Sequence, residues 1–337
     1  MERQRGEPER AFWFIRLRLL GDIIFTMPAM EIFRDHFPGV HVGYVVEEKF
    51  AEIARLIPGI DEVVTVSRKM PLSEILAFRK KAREAEVGTV VDFHSGPKSA
   101  LLTWITGAKV RAGYRTPNRN WAYNRTIPRK VGTGPSHSVV NQVRLLELIG
   151  IPVSRIPSYP EIHIDEALLS PLVLEARSIR PKIVLHIGAG NRFRDWGSEN
   201  FASLLRRLGG VPVFLVGNDE WDKARGAELA GMSHVHDYTG RLSIGDMLAL
   251  IADSQVFIGA DSGPLHIASL TRTPIVAFYG PNIPAVSGPW RRENVTVIER
   301  DLKCRPCSQR GCMYDKMVCM DGIDVEYVYQ AISRYIR

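Results

Sequence analysis

The chain has 337 residues, of which 45% are hydrophobic and 24% charged, so its composition excludes an intrinsically disordered protein. Its length suits about two domains, and no apolar run approaches the roughly 18 residues that a membrane-spanning helix needs. The net charge of +7 favours an anionic partner, such as a nucleotide, a phosphorylated sugar, an anionic lipid or nucleic acid, although it equally fits solubility alone.

Basic residues are concentrated near the start of the chain, at Arg3, Arg5, Arg10, Arg16 and Arg18. The last two interrupt the apolar part of this segment. We therefore expect no secretory signal and a cytoplasmic protein. The cluster favours contact with a membrane surface or with a phosphorylated acceptor.

Short β-rich runs alternate with helical patterns along the chain. The runs that predict strands in the first half are FWFIRL (12–17), VHVGYVVE (40–47), EVVTV (62–66) and VGTVVDF (87–93). The series restarts with KIVLHIGAG (182–190), VPVFLVGN (211–218), QVFIGADSG (255–263), PIVAFYGP (274–281) and VTVIER (295–300). Near-continuous apolar strands separated by helices predict parallel sheets covered on both faces. Two such series predict two doubly wound α/β domains, joined in the proline-rich stretch 151–171.

One predicted strand of the second series ends in a glycine-rich loop, HIGAGNRFRDWGSENF. Gly188 and Gly190 permit close approach of a ligand to the backbone, and Ser198 is typical of a helix N-cap. Arg194 can donate two N–H groups to a phosphate. Alone, the pattern fits a plain strand–turn–helix corner equally well.

A second strand end of that half carries Asp261, Ser262 and Gly263, and Pro264 suits the first turn of a helix that includes His266. Backbone amides at a helix start favour an anion. The alternative is that Asp261 only caps the helix and that His266 lies on its surface. Because both loops belong to one edge of the same predicted sheet, we favour a ligand site there.

In the first half, Asp22 follows Gly21 where the first strand ends. It lies too far before Pro28 to cap the helix that begins there. The carboxylate either stabilises local amides or acts as a general base, provided that the two sheets face a shared cleft.

Together these motifs resemble the ADP-heptose:lipopolysaccharide heptosyltransferase family, inverting glycosyltransferases of the GT-B fold. The matching stretches follow in order through nearly the whole chain: RLRLLGDIIFTMPAM, PGVHVGYVVEEKFAEIARLIPGIDEVV, VVDFHSGPKSALLTWITGAKVRAGY, HIGAGNRFRDW, FIGADSGPLHIASLTRTPIVAFYGP and CRPCSQRGCMYDKMVCMDGIDVEYV. The resemblance implies an acceptor-side Rossmann-like domain at 1–165 and a nucleotide-sugar domain at 166–322, facing a cleft. It also implies a C-terminal helix at 323–337 that crosses back to the first domain.

The resemblance also implies roles. Asp22 matches the general base that deprotonates the acceptor hydroxyl, and Arg194 matches a basic residue on the donor phosphates that is often lysine in relatives. The other donor residues implied are Gly188, Gly190, Glu220 (a contact to the nucleotide ribose), Asp261, Ser262, Gly263 and His266. The acceptor residues implied are Lys98, His94 and Arg115. The reaction implied needs no metal or other cofactor. Its partners are ADP-heptose and a glycan or lipid-linked acceptor, with peripheral contact to the inner membrane and without nucleic acid.

One departure is visible at Gly280-Pro281-Asn282-Ile283-Pro284, where relatives often read G-P-T-D-P, and it leaves the identity of the donor open. Two rival functions also stay open. One is a nucleotide-sugar-binding protein without catalysis, and the other is a nucleotide-sugar epimerase of the same fold, since one fold hosts many functions.

All four cysteines lie in one short segment, at Cys304, Cys307, Cys312 and Cys319. A cytoplasmic chain does not usually keep stable disulfides. Four thiolates could enclose a structural zinc or iron ion tetrahedrally, although their spacing is not a common zinc pattern. Free thiols are the alternative.

Overall fold

A computed structural model describes residues 11–129, 134–160, 162, 164–291, 293–314 and 316–336. Of the basic cluster at the start, Arg3, Arg5 and Arg10 lie outside the described residues. The chain divides into two compact units, the first ending at Pro160 and the second beginning at Glu161.

The first unit is a parallel six-stranded sheet with helices between its strands. Its elements are β1 (Phe12–Ile15), α1 (Leu20–Ile24), α2 (Met27–His36), β2 (Val42–Glu47), α3 (Ala51–Arg55), β3 (Glu62–Val66), α4 (Leu72–Glu84), β4 (Thr89–Asp92), α5 (Pro97–Ile105), β5 (Val110–Arg115), β6 (Arg125–Pro128) and α6 (Ser138–Val143). The strand order is β3-β2-β1-β4-β5-β6, so β1 and β4 are neighbours although β2 and β3 lie between them in the chain.

The second unit repeats this arrangement with a second parallel six-stranded sheet. Its elements are α7 (Pro171–Arg177), β7 (Ile183–His186), α8 (Ser198–Arg207), β8 (Val213–Val216), α9 (Glu220–Leu229), β9 (Val235–Asp237), α10 (Ile244–Ala252), β10 (Val256–Ala260), α11 (Gly263–Ala268), β11 (Ile275–Tyr279), α12 (Pro284–Ser287), β12 (Val295–Glu299), α13 (Val318–Asp321) and α14 (Val325–Ser333). The order β12-β11-β10-β7-β8-β9 makes β7 and β10 the neighbours. The predicted α/β, doubly wound fold class is therefore confirmed for both units.

Strands buried on both faces match the apolar runs of the sequence, because helices cover both sides of the sheet. β1, β4, β7 and β10 lie inside the predicted runs, and their neighbours form the two cores. The sequence runs did not include β5, β6 or β9. β5 includes two arginines and a glycine, which interrupt its apolar pattern. β6 and β9 are short edge strands, and β6 ends in a proline, which an edge strand tolerates.

The C-terminal segment packs onto the core of the second unit. Val328 and Ile332 of α14 are fully buried there, and the indole N–H of Trp196 donates to the carbonyl of Ile323 at 3.0 Å. The predicted crossing of 323–337 to the first domain stays a prediction. Among the described residues, no helix combines the length and apolarity that crossing a membrane requires.

Candidate functional site

In each sheet the strand order reverses at one point, and loops from two neighbouring strands meet there. These pairs are β1 with β4 in the first unit and β7 with β10 in the second. In open parallel sheets, ligands bind beyond the carboxyl ends of the strands at such a point. Most of the predicted site residues follow one of these four strands.

Asp22 lies within the short helix α1, in its first turn, whereas Leu19 is the N-cap residue. The carboxylate pairs with Arg16 through Oδ2 and Nη2, and 26% of the side chain is exposed. Its main-chain carbonyl accepts from the side-chain amide of Gln142 on α6 at 3.2 Å. The structure thus places Asp22 as a partly exposed carboxylate oriented by one arginine, not as a helix cap.

Arg16 connects the two strand ends of the first unit. It is 6% exposed, and besides its contact with Asp22 its Nη1 donates to the carbonyl of Phe93 at 2.8 Å, directly after β4. Sequence reasoning noted Arg16 only as part of a basic cluster. A single arginine at the end of an otherwise apolar strand is the signal that could have marked it, because a buried guanidinium needs acceptors.

His94, a predicted acceptor residue, follows Phe93. Burial lowers its pKa to about 3, and Arg16, Arg18, Arg129 and Lys98 add to the effect because their positive charges disfavour the imidazolium. Among the described residues its buried Nδ1 has no hydrogen-bond partner. The ring is therefore neutral and surrounded by cations, which is a setting that suits an anionic ligand.

The other two predicted acceptor residues differ in their surroundings. The ammonium of Lys98, at the start of α5, contacts Glu47 at 3.4 Å and donates to the carbonyl of Ser67. Arg115, at the end of β5, is exposed. Lys98 is thus held within the first unit, whereas Arg115 is free to reach outward.

In the second unit, Arg225 of α9 anchors the loop after β7. Two of its nitrogens donate to Asp195 at 2.6 and 2.7 Å, and Nη1 also donates to the carbonyl of Ile187 at 2.7 Å. Its Nε donates to the hydroxyl of Ser198 at 3.1 Å, and only 4% of the residue is exposed. The predicted Ser198 cap is wrong, since Gly197 occupies the N-cap and Ser198 is the first helical residue.

The two predicted glycines of this loop serve different purposes. A Cβ at Gly188 would lie 1.8 Å from Oδ1 of Asp222, so packing against that buried carboxylate already requires glycine. Burial raises the pKa of Asp222, which accepts the main-chain N–H of Asn218 at 2.8 Å. Gly190 instead has a φ of +60° and open space around it. The positive φ already favours glycine at this position, and the open space leaves room for the predicted close approach of a ligand.

Arg194 joins the loops after β7 and β10. Its Nη1 donates to the carbonyl of Asp261 at 2.8 Å and lies 3.8 Å from the carboxylate of that residue. Its Nε donates to the side chain of Gln309 at 3.1 Å. Within the described part of the chain Nη2 makes no hydrogen bond, so one edge of this 26% exposed guanidinium remains available.

The predicted residues of the β10 loop are mostly turned inward. Ser262 donates to the carbonyl of Ala260 at 2.9 Å and lies 3.1 Å from Nδ1 of His186. Burial lowers the pKa of His186 to about 4. His266 is 5% exposed, 3.8 Å from the carboxylate of Asp261, so the alternative of a helix-surface histidine is wrong. Gly263 begins α11.

A cavity of about 380 Å³ opens beside the β7 loop. Gly190, Arg192, Asp219 and Trp221 are among its lining residues. Glu220, the predicted ribose contact, is 91% exposed in its side chain and contacts Lys223 at 2.7 Å. Its sequence neighbours, Asp219 and Trp221, line the cavity instead. The sequence pattern alone does not show which of these three consecutive residues faces the cavity.

The four cysteines line a second cavity, of about 310 Å³, together with Phe193 and Tyr314. All four are free thiols, and burial raises the pKa of Cys319. Among the described residues, no three cysteine, histidine or acidic side chains are grouped so that they could hold a metal ion. The structure therefore does not support the predicted structural zinc or iron.

Comparisons with known proteins show the family and the fold of the chain. The family model "Glycosyltransferase family 9 (heptosyltransferase)" matches residues 75–318. The chain is 31% identical to "Lipooligosaccharide heptosyltransferase 2" of Campylobacter jejuni subsp. jejuni serotype O:6 over 94% of this chain and 96% of that one.

Two solved structures share the fold. One is Escherichia coli ADP-heptose lps heptosyltransferase II, with a TM-score of 0.80, 18% identity and coverage of 97% of this chain and 98% of that one. The other is E. coli heptosyltransferase WaaC with ADP, with a TM-score of 0.71, 20% identity and coverage of 96% and 99%. The fold is therefore that of GT-B heptosyltransferases, and the chain belongs to glycosyltransferase family 9 as a glycosyltransferase enzyme.

Proposed function

We propose that this enzyme transfers a heptose from ADP-heptose to a lipopolysaccharide-core or similar glycan acceptor, with inversion at the anomeric carbon. The observation that carries the proposal is the fixed guanidinium of Arg194, which keeps a free edge where the loops after β7 and β10 meet. The names of the relatives, which include ADP-heptose and lipooligosaccharide heptosyltransferases, support this choice of donor and acceptor.

The reaction is a single displacement. The acceptor oxygen forms a bond to the anomeric carbon while the bond from that carbon to the β-phosphate oxygen breaks, and ADP leaves. Asp22 accepts the proton of the acceptor hydroxyl as general base. Its ion pair with Arg16 supports this role because it orients the carboxylate while leaving part of it exposed.

Negative charge develops on the leaving diphosphate, and preorganised donors stabilise it. Arg194 supplies this positive charge, and the anchoring of its loop by Arg225 supports such a role because no reorganisation is needed during the reaction. The 380 Å³ cavity beside Gly190 is the proposed place of the nucleoside, with Asp219 and Trp221 as its walls. This chemistry uses no metal.

On the acceptor side, the cations around the neutral ring of His94 favour an anionic sugar or phosphate group. Lys98 and Arg115 are the residues that we expect to contact this group. A lipid-linked acceptor would be reached by peripheral contact with the inner membrane.

The test is a product analysis with purified enzyme. ADP-, GDP- and UDP-sugars are each incubated with a truncated lipopolysaccharide acceptor, and ADP release and the glycosylated product are followed by chromatography and mass spectrometry. We expect turnover with ADP-heptose only when acceptor is present. Isomerised nucleotide sugar without acceptor would instead establish an epimerase, and binding without any product would establish a non-catalytic binder.

A further inference from the structure

Residues 304–309, at the beginning of the segment 304–319 that carries the cysteines, are docked onto the loop after β11. The main-chain N–H of Cys307 donates to the carbonyl of Pro281 at 3.0 Å. Arg305 donates to the carbonyl of Asn282 and to the carboxylate of Glu299, both at 2.6 Å. These contacts fix the backbone that leads to Gln309.

Gln309 closes a ring of hydrogen bonds that includes three strand-end loops. Its Oε1 accepts from Nε of Arg194 at 3.1 Å and from Nδ2 of Asn191 at 3.0 Å. Its Nε2 donates to Oδ1 of Asn282 at 2.8 Å, and Nδ2 of Asn282 donates to Asp261 at 2.5 Å. The ring returns to Arg194, whose Nη1 donates to the carbonyl of Asp261 at 2.8 Å.

The two charged members of this ring, Arg194 and Asp261, determine the orientation of both side-chain amides. A guanidinium only donates and a carboxylate only accepts, so the oxygen of Gln309 must face Arg194 and the nitrogen of Asn282 must face Asp261. The two amides are then correctly oriented toward each other. Asn282 thus supplies a polar side chain at the position where the G-P-N-I-P sequence departs from the pattern of relatives.

The backbone of Gln309 is held in an uncommon conformation. Its φ is +57°, in the left-handed region that a non-glycine residue adopts only when its surroundings enforce it. Its main-chain N–H donates to Sγ of Cys307 at 3.3 Å. A glycine would relieve this strain, so the presence of glutamine points to a requirement for its side chain.

We propose that Gln309 is a positioning residue that holds Arg194 in the orientation that binds the donor diphosphate. The cysteine-bearing segment thereby forms part of the donor site instead of serving only as a structural tail. This inference rests on the proposed function, in which Arg194 binds the phosphates of an ADP-sugar.

The test compares Gln309→Gly, which keeps the left-handed backbone without strain, with Gln330→Ala, a control at an exposed glutamine of α14. Calorimetry with ADP measures affinity, and donor and acceptor KM values are measured in the transfer assay. We expect Gln309→Gly to weaken ADP binding about 10-fold, because one hydrogen bond to a charged group is lost. The acceptor KM should stay near its original value, as in the control.

A double-mutant cycle separates positioning from general stability. In an Arg194→Ala background, Gln309→Gly should cause no further loss of ADP affinity, since it has no guanidinium left to orient. Gln309→Met, of similar size, is the second variant and should behave like the glycine variant. Suppose that Arg194→Ala weakens ADP binding. The inference would then be overturned if Gln309→Gly kept full ADP affinity, or if it lowered ADP affinity equally in the wild-type and Arg194→Ala backgrounds. Full ADP affinity of Arg194→Ala would instead contradict the donor role in the proposed function.

Discussion

The two units share one strand order but hold their switch-point residues in different ways. In the first, the described contact of the Asp22 carboxylate is its ion pair with Arg16. In the second, Arg194 is held by Asp261 and Gln309, and its loop is anchored by Arg225. The same topology therefore supports a lightly held carboxylate in one place and a rigid cation in the other. A base must reach a proton on a substrate, whereas a charge-stabilising group works best when preorganised.

The largest expected effect is the loss of turnover when the carboxylate of Asp22 is replaced. Asp22→Asn keeps the size of the side chain but removes its ability to accept a proton, so we expect kcat to fall about 10²- to 10⁴-fold. The ADP dissociation constant should hardly change. The assay is steady-state transfer together with calorimetry, and Asp35→Asn, at an exposed aspartate of α2, is the control. Undiminished turnover of Asp22→Asn would rule out the general-base role.

The next largest effect concerns the anchor of the second unit. Arg225→Ala removes a buried guanidinium that donates to Asp195, Ile187 and Ser198, so we expect the free energy of unfolding to fall by about 3 kcal/mol. Arg207→Ala removes a pair with Glu326 whose side chains are about half exposed, so we expect a loss of about 1 kcal/mol or less. Denaturant titration compares the two variants. Equal losses would mean that the β7 loop does not depend on this anchor.

His186 of the second unit should contribute to the pH dependence of stability, in the same direction as His94 of the first unit. Burial lowers the pKa of His186 from 6.5 to about 4, so below pH 6.5 the unfolded chain binds a proton that the folded chain does not. The free energy of unfolding should therefore fall as the pH drops from 6.5 to 4, by about 3 kcal/mol at 1.36 kcal/mol per pKa unit. His186→Gln should flatten this slope. Urea titrations at several pH values measure it, and an unchanged slope in the variant would contradict the assignment.

The smallest expected effect is on ADP affinity, and it tests which residues of the proposed donor cavity contact the nucleoside. Trp221 lines that cavity, whereas Glu220 is 91% exposed in its side chain and pairs with Lys223. We expect Trp221→Ala to weaken ADP binding about 5-fold, since stacking on a base is worth about 1–3 kcal/mol, and Glu220→Ala to change it less than about 2-fold. If calorimetry found the reverse order, the predicted ribose contact of Glu220 would stand and the proposed role of Trp221 would fall.

Much of the fold could be predicted because helices cover both faces of each sheet, so central strands must be apolar along their whole length. The runs around β1, β4, β7 and β10 show this directly. β6 and β9 could not be predicted in this way. Both are short, and their sequences, Arg-Thr-Ile-Pro and Val-His-Asp, contain no apolar run, unlike those of the edge strands β3 and β12.

The candidate site was predicted in its position but not in its contacts. Asp22, Arg194 and Asp261 follow switch-point strands, as expected from the order of strands and glycines. Arg225 and Gln309 carried no such signal, because each acts on a loop distant in the chain, 30 residues away for Arg225 and Asp195 and 115 for Gln309 and Arg194. The cluster of four cysteines left a structural metal and free thiols as alternatives, and the described residues do not support the metal.

The sequence by itself determined the two parallel sheets and the family, since periodic burial and local loop motifs are properties of consecutive residues. The tertiary structure alone decided which polar groups meet, because hydrogen bonds form between side chains that the fold brings together from separate loops. It placed Arg16 between Asp22 and Phe93, and Gln309 against Arg194. A guanidinium donates hydrogen bonds to any acceptors nearby, and residue spacing along the chain does not show which distant residues provide those acceptors.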